Sequence, residues 1–79
     1  MGDDSKPLTT GQAAKQLGAS TWSVIDWCKA GLLRVSYTAG GHRRIDAASV
    51  VELQAVLRSG LPRAEREVAL EELKARNTA

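Results

Sequence analysis

The sequence predicts a mainly α-helical fold with one small β-hairpin, in the order α-α-β-β-α-α. Residues 9–30 contain two short stretches in which apolar residues recur at helical spacing, separated by a glycine turn. A Gly-Gly pair at 40–41 lies between two β-prone segments, which is typical of a hairpin. Two further stretches with helical spacing follow the hairpin, one after residue 46 and one after residue 62. These observations predict four helices and a single hairpin.

The first predicted helix starts from a capping signal. Thr9 and Gln12 have the spacing of a capping box, in which each side chain accepts a hydrogen bond from the other residue's backbone N–H. Apolar residues then recur at helical spacing up to Gly18, which suits the C-terminal end of a helix. The apolar residues of this helix are Ala13, Ala14 and Leu17.

The second predicted helix runs from its cap at Ser20 to Ala30, and Gly31 ends it. Two short helices joined by a glycine turn form a helix-turn-helix. One face of the second helix is apolar and is predicted to lie in the core, and the apolar surface continues after the glycine. These core positions are Val24, Trp27, Cys28, Leu32 and Leu33.

The opposite face of the second helix is the candidate surface for recognising a ligand. Helical spacing turns Trp22, Asp26 and Lys29 outward. Thr21, Ser23 and Ile25 lie near the margins of this face. An outward Trp22 suits either a DNA contact, to a thymine methyl or a sugar, or an anchor for a protein partner.

The hairpin is predicted at residues 35–45, with Gly40 and Gly41 supplying the positive φ angles of a tight turn. Arg43 and Arg44 carry guanidinium groups that suit bidentate contact with phosphates. His42 can either donate a hydrogen bond to a phosphate or hold the loop. An ordinary solvated hairpin is the alternative interpretation of the same residues.

Asp46 can cap a third helix, which is predicted to end near residues 59–60. Val50, Leu53 and Leu57 form an apolar stripe on this helix, which is predicted to close the core.

Pro62 suits the first turn of a fourth helix that extends to about Arg76. The apolar residues of this helix lie on two sides, so it is not a heptad zipper, and it needs a surface to pack on. Ala64, Val68 and Ala75 form one side, Leu70 and Leu73 form the other, and Glu72 has i, i+4 spacing to Arg76.

Length and charge limit the range of functions. A chain of 79 residues forms one domain with a small core, which excludes a multi-domain enzyme. We expect a polar, flexible tail at 1–7, a DNA-binding domain at 8–60 and a C-terminal helix at 61–79.

Charge is distributed unevenly along the chain. Residues 1–45 contain six Lys/Arg and three acidic residues, whereas residues 46–79 contain five Lys/Arg and six acidic residues. This basic surplus suits a nucleic-acid face, although a solvated surface can also show it.

Several other classes of protein are not expected from the composition. The single cysteine excludes an intrachain disulfide and fits a reducing compartment. One histidine and one cysteine are too few for a zinc site, so we expect neither a metal nor a cofactor. No nucleophile has a histidine base beside it, so we do not expect an enzyme. Without a long apolar run or a signal peptide, the expected location is the bacterial cytoplasm, in association with the nucleoid.

In this order the elements resemble the winged helix-turn-helix of MerR-type proteins. The resemblance covers residues 8–57 and is carried by LTTGQAA at 8–14, LGAS at 17–20, Val24 with Trp27, AGLL at 30–33 and GGHRR at 40–44. It is strongest to the short members, the excisionase-family proteins and small regulators of the BldC type. These members have the DNA-binding module without an effector domain.

The resemblance implies a recognition helix at 21–29 that enters the major groove and a wing at 37–44 that contacts the backbone or minor groove. The implied helix contacts are Thr21, Trp22, Ser23, Ile25, Asp26 and Lys29. The implied wing contacts are Tyr37, Thr38, Gly40, Gly41, His42, Arg43 and Arg44. Two positions depart from the family: Ile25 and Asp26 stand where many relatives have two arginines, and Ala39 stands where proline is common.

The sequence therefore predicts a sequence-specific protein that binds double-stranded DNA, either a transcription regulator or an excisionase-like architectural factor. A phage terminase small-subunit DNA-binding domain remains an alternative, as does an interaction module that binds a protein through Trp22, Ile25 and Asp26. We expect a monomer or weak dimer in solution, with head-to-tail contacts between neighbours on DNA. The C-terminal helix offers a second surface for such a neighbour or for a protein partner.

Overall fold

The computed structural model describes residues 7–78, and within them it contains four helices and one two-stranded antiparallel sheet. The elements are α1 (Thr10–Leu17), α2 (Thr21–Ala30), β1 (Val35–Tyr37), β2 (Arg43–Ile45), α3 (Ala47–Arg58) and α4 (Arg63–Thr78). The prediction of a mainly α-helical chain with one small hairpin, in this order, is confirmed. Of the predicted tail at 1–7, residues 1–6 lie outside the described residues. None of the described helices is long and apolar enough to cross a membrane.

The predicted ends of the first two helices are confirmed in detail. Thr9 Oγ1 accepts from the Gln12 N–H at 3.1 Å, and Gln12 Oε1 accepts from the Thr9 N–H at 2.9 Å, which completes the capping box. The Ser20 hydroxyl accepts from a backbone N–H in the first turn of α2 at 3.1 Å. Gly18 and Gly31 end α1 and α2 in the left-handed conformation that favours glycine, with φ of 66° and 86°.

The fourth helix differs from the prediction at both ends. Pro62 lies just before α4, where its carbonyl accepts from the Arg66 N–H at 2.9 Å, and α4 continues to Thr78 rather than ending near residue 76. The pair suggested by the spacing of Glu72 and Arg76 is not among the ion pairs of residues 7–78. Arg76 Nη1 lies instead 3.5 Å from a carboxylate oxygen of Glu52 on α3, because α4 packs across that helix.

β2 forms backbone hydrogen bonds on both of its edges, with β1 on one edge and with Leu8 on the other. The register pairs Val35 with Ile45, Ser36 with Arg44 and Tyr37 with Arg43. On the other edge, Leu8 and Ile45 exchange two backbone hydrogen bonds of 2.7 Å. The segment that precedes α1 therefore attaches the hairpin to the helices.

The core draws apolar side chains from every helix, from the turn after α2 and from β2. Leu73 is the buried residue of α4, and Leu70 packs partly buried beside it. Val68, on the other side of α4, is 59% exposed, which confirms the predicted two-sided helix. The buried cluster consists of Ala13, Ala14, Val24, Leu32, Leu33, Ile45, Val50, Leu53 and Leu73.

Candidate nucleic-acid interface

α2 turns its polar face to solvent with the helical phase that the sequence predicts. Trp22 is 76% exposed, and Asp26 and Lys29 are also exposed, whereas Val24 on the opposite face is completely buried. Trp27 is half-buried and packs against the core cluster, so the prediction that it is a core residue is confirmed. The remaining predicted contacts follow the same pattern: Thr21 is exposed, and Ser23 and Ile25 are half-buried at the margins.

The C-terminal end of α2 is held by the last turn of α4. Asn77 Nδ2 donates to the carbonyl of Gly31 at 3.0 Å. A Cβ added at Gly31 would lie 3.1 Å from the Cγ2 of Thr78, so the two segments are in close contact. The fourth helix thus helps to fix the position of α2, although the two are separated by more than thirty residues in the sequence. No local sequence signal indicates this contact.

The hairpin turn is built differently from the prediction at one of its two glycines. Gly41 has a φ of 82°, but Gly40 does not have a positive φ, so the expectation that both supply one is wrong. The Gly41 N–H donates to the Thr38 carbonyl at 2.9 Å, and the Thr38 N–H donates to the His42 carbonyl at 3.0 Å. A three-residue loop of this kind needs one left-handed residue, and Gly41 provides it.

His42 contributes to the structure of the turn. Its backbone N–H donates to Thr38 Oγ1 at 3.2 Å. A Cβ added at Gly40 would lie 3.3 Å from Cδ2 of the imidazole, so the absence of a side chain there makes room for the ring. The imidazole packs against Gly40, whereas the hydrogen bond to Thr38 uses only the backbone N–H, which any residue except proline supplies.

The two arginines of the hairpin lie on opposite faces of the sheet, because successive side chains of a strand alternate. Arg43 shares its face with Ile45, which is completely buried, so this face is turned toward the helices. The Arg43 Nε is buried and has no hydrogen-bond partner within residues 7–78. Arg44 shares the other face with Ser36, and its Nη1 donates to the Arg43 carbonyl at 3.2 Å. The sequence predicts the same role for Arg43 and Arg44, whereas in the structure they lie on opposite faces of the hairpin.

Arg43 also acts on the thiol of α2 electrostatically. Burial raises the pKa of Cys28 above its ordinary value, and the positive charge of Arg43 opposes that rise. The hairpin and α2 are therefore close enough for a charge on one to be felt on the other.

Positive charge without an ion-pair partner collects in the first part of the chain. No carboxylate lies within 4 Å of Lys15, Lys29, Arg43 or Arg44 in residues 7–78. Asp26 is the one acidic residue between positions 7 and 45. On α4, Arg63, Lys74 and Arg76 pair with carboxylates of α4 or α3. Arg58 and Arg66 have no carboxylate within 4 Å in residues 7–78. The predicted basic surplus thus remains on α1, α2 and the hairpin.

Arg34 is the exception among the cations at positions 7–45, since it has a carboxylate partner. Its Nη2 lies 2.7 Å from an oxygen of Asp46, and the hydrogen bond from Arg34 lowers the pKa of that carboxyl. The Ser49 hydroxyl accepts from the Arg34 N–H at 3.1 Å and donates to the Asp46 carbonyl at 2.8 Å. This network ties the start of the hairpin to the N-terminal end of α3. It was missed in the sequence, although the hairpin register places residues 34 and 46 next to each other.

Within residues 7–78 no group of three or more His, Cys, Asp or Glu side chains is placed to hold a metal ion. Comparison with known proteins found no matching family model, no matching curated protein and no matching solved structure. A function is therefore inferred from the chemistry of α2 and the hairpin.

Proposed function

We propose that the chain is a winged helix-turn-helix protein of the MerR-like type that binds double-stranded DNA. The observation that carries the proposal is the exposed face of α2, with Trp22, Asp26 and Lys29, together with a hairpin whose arginines have no carboxylate partner in residues 7–78. α1 and α2 are joined by a three-residue turn, which is the arrangement of a helix-turn-helix. In this proposal the protein acts as a transcription regulator or as an excisionase-like architectural factor.

In this proposal α2 lies in the major groove and the hairpin contacts the adjacent backbone. An α-helix with its side chains is about 10 to 12 Å across, which fits the major groove, about 12 Å wide. Arg44 lies on the face of the hairpin that is turned away from the helices, and in this proposal the guanidinium nitrogens that do not donate to the Arg43 carbonyl supply a phosphate contact. Arg43 lies on the face that is turned toward the helices, where its Nε is buried, so Arg44 carries the phosphate contact in this proposal.

Titration of labelled random-sequence duplex at two salt concentrations, about 50 and 200 mM, tests the proposal. The affinity should fall steeply with salt. Arg44→Ala should weaken binding to all sequences and lower the salt slope by about one, because each phosphate contact releases about one counterion. Arg43→Ala should lower the slope less, because Arg43 lies on the face that is turned toward the helices. Arg66→Ala is the matched control, since it removes an exposed arginine from α4. It should leave the slope unchanged.

A protein-interaction module is the second candidate, and the 76% exposure of Trp22 favours it. Exposed tryptophan is a common anchor at protein interfaces. The outer side of α4, with its exposed Val68, offers a further contact surface for a neighbour or a partner. The titration separates the two candidates: absence of duplex binding at low salt contradicts DNA binding and supports a protein partner.

A further inference from the structure

The exposed face of α2 presents one aromatic side chain, one carboxylate and one cation in a single column. Trp22, Asp26 and Lys29 are four and three residues apart, spacings that place side chains on one helical face about a turn from each other. Asp26 is exposed and has no cation within 4 Å in the described part of the chain. A carboxylate in this position opposes binding to a polyanion unless it meets a hydrogen-bond donor.

Given the proposed placement of α2, on which this inference rests, we propose that Asp26 accepts a hydrogen bond from the N4 amino group of a cytosine. Trp22 then packs against the C5 edge of a neighbouring pyrimidine, and Lys29 contacts a phosphate. The ligand is therefore duplex DNA with a C·G pair and, close to it, a thymine or 5-methylcytosine.

The donor pattern of the major groove selects cytosine for a carboxylate. Guanine and thymine present acceptors there, which repel an anion, whereas cytosine and adenine present an amino group. In adenine the amino group lies beside the N7 acceptor, so an amide that donates and accepts suits it better. In cytosine the neighbouring position on the same base is a C–H, so the amino group has an acceptor on one side only, O6 of the paired guanine, whereas the adenine amino group lies between N7 and the O4 of thymine. Asp26 therefore favours cytosine over the other three bases.

The spacing along α2 sets the distance between the two contacts. Trp22 and Asp26 lie about 6 Å apart along the helix axis. Because base pairs are stacked about 3.4 Å apart, the two side chains reach bases one or two steps from each other. The C5 methyl of thymine is the apolar feature of the major groove, and it fits the exposed indole of Trp22. A methyl at C5 of cytosine presents the same surface.

Selection of binding sites from a random duplex pool tests the cytosine contact. Sites selected by the wild-type protein should share one C·G pair. Asp26→Asn should change the preferred base at that position to adenine, because an amide pairs with both N6 and N7. Glu65→Gln removes one charge from an exposed carboxylate of α4, so it controls for charge and should keep the cytosine preference.

Modified duplexes test each contact separately. N4-methylcytosine at the selected position fills the site of the groove-facing N–H and should weaken wild-type binding about tenfold. Asp26→Asn should not distinguish it from cytosine. Deoxyuridine in place of the neighbouring thymine removes only the methyl and should weaken wild-type binding by roughly threefold, the effect of about one buried methyl, and leave Trp22→Ala unaffected.

The outcomes separate this inference from the proposed function. Salt-dependent binding to duplex DNA without a shared cytosine, or without any effect of N4-methylation, overturns the cytosine contact and leaves DNA binding in place. Failure to bind any duplex at low salt overturns both. A wild-type preference for cytosine that Asp26→Asn retains assigns the contact to another residue and contradicts the inference.

Discussion

Ser49→Ala should destabilise the protein through the network that joins the hairpin to α3. Ser49 is completely buried, and its hydroxyl accepts from the Arg34 N–H and donates to the Asp46 carbonyl. Alanine removes one oxygen and leaves almost no cavity, so the loss comes from the Arg34 N–H, which is left without an acceptor, whereas the Asp46 carbonyl still accepts from the Val50 N–H at 3.2 Å. Leaving such a donor unsatisfied costs about 1 to 3 kcal/mol. For a domain of this size, about 2 kcal/mol lowers Tm by roughly 8 to 16 °C.

Thermal unfolding followed by circular dichroism measures this effect. Ser59→Ala is the matched control, because its exposed hydroxyl donates to the Val56 carbonyl at 2.7 Å within a helix end that water can also solvate. We expect that variant to change Tm by less than about a quarter as much, since exposed hydrogen bonds contribute little. Equal losses in the two variants, or a Ser49→Ala variant as stable as the wild type, would refute the structural role of the network.

Three more changes test other parts of the structure. Trp27→Ala should lower the free energy of unfolding by about 3 kcal/mol, which is at the low end for a large core side chain because the indole is half-buried. Trp22→Ala should leave the free energy of unfolding and Tm nearly unchanged, because that side chain is exposed. Comparable losses of the two variants in chemical denaturation would contradict the assigned helical phase of α2. The pKa of Asp46 is lowered by the hydrogen bond from Arg34, so its contribution to stability is present above the ordinary value of about 4 and is lost as pH falls through the lowered value. Tm of the wild type should therefore fall more steeply below about pH 4 than Tm of Asp46→Asn, and parallel profiles would exclude this carboxyl as the cause. Gly41→Ala should cost about 1 to 2 kcal/mol, because its φ of 82° disfavours any residue with a Cβ, and an unchanged unfolding midpoint would contradict the assigned turn.

The amino-acid sequence by itself determined the features that depend on residues close together in the chain, such as helix caps and the exposed face of α2. Thr9 and Gln12 form the predicted capping box, and Gly31 ends α2 where predicted, because a cap depends on residues three or four positions apart. The exposed and buried faces of α2 follow from the helical repeat, so Trp22 and Val24 lie where their spacing places them. These local signals account for the order of the elements and for most residues of the candidate interface.

The tertiary structure alone decided what depends on contacts between distant segments. Strand register placed Arg43 toward the helices and Arg44 away from them, and residue type cannot distinguish the two. The hydrogen bond from Asn77 to Gly31 likewise exists only because α4 packs across the end of α2. Helical spacing predicts Glu72 as the ion-pair partner of Arg76, but in the folded chain Arg76 pairs with Glu52, because α4 packs on α3. Local patterns act over a few residues, whereas these partners are selected by how the helices bury their shared core.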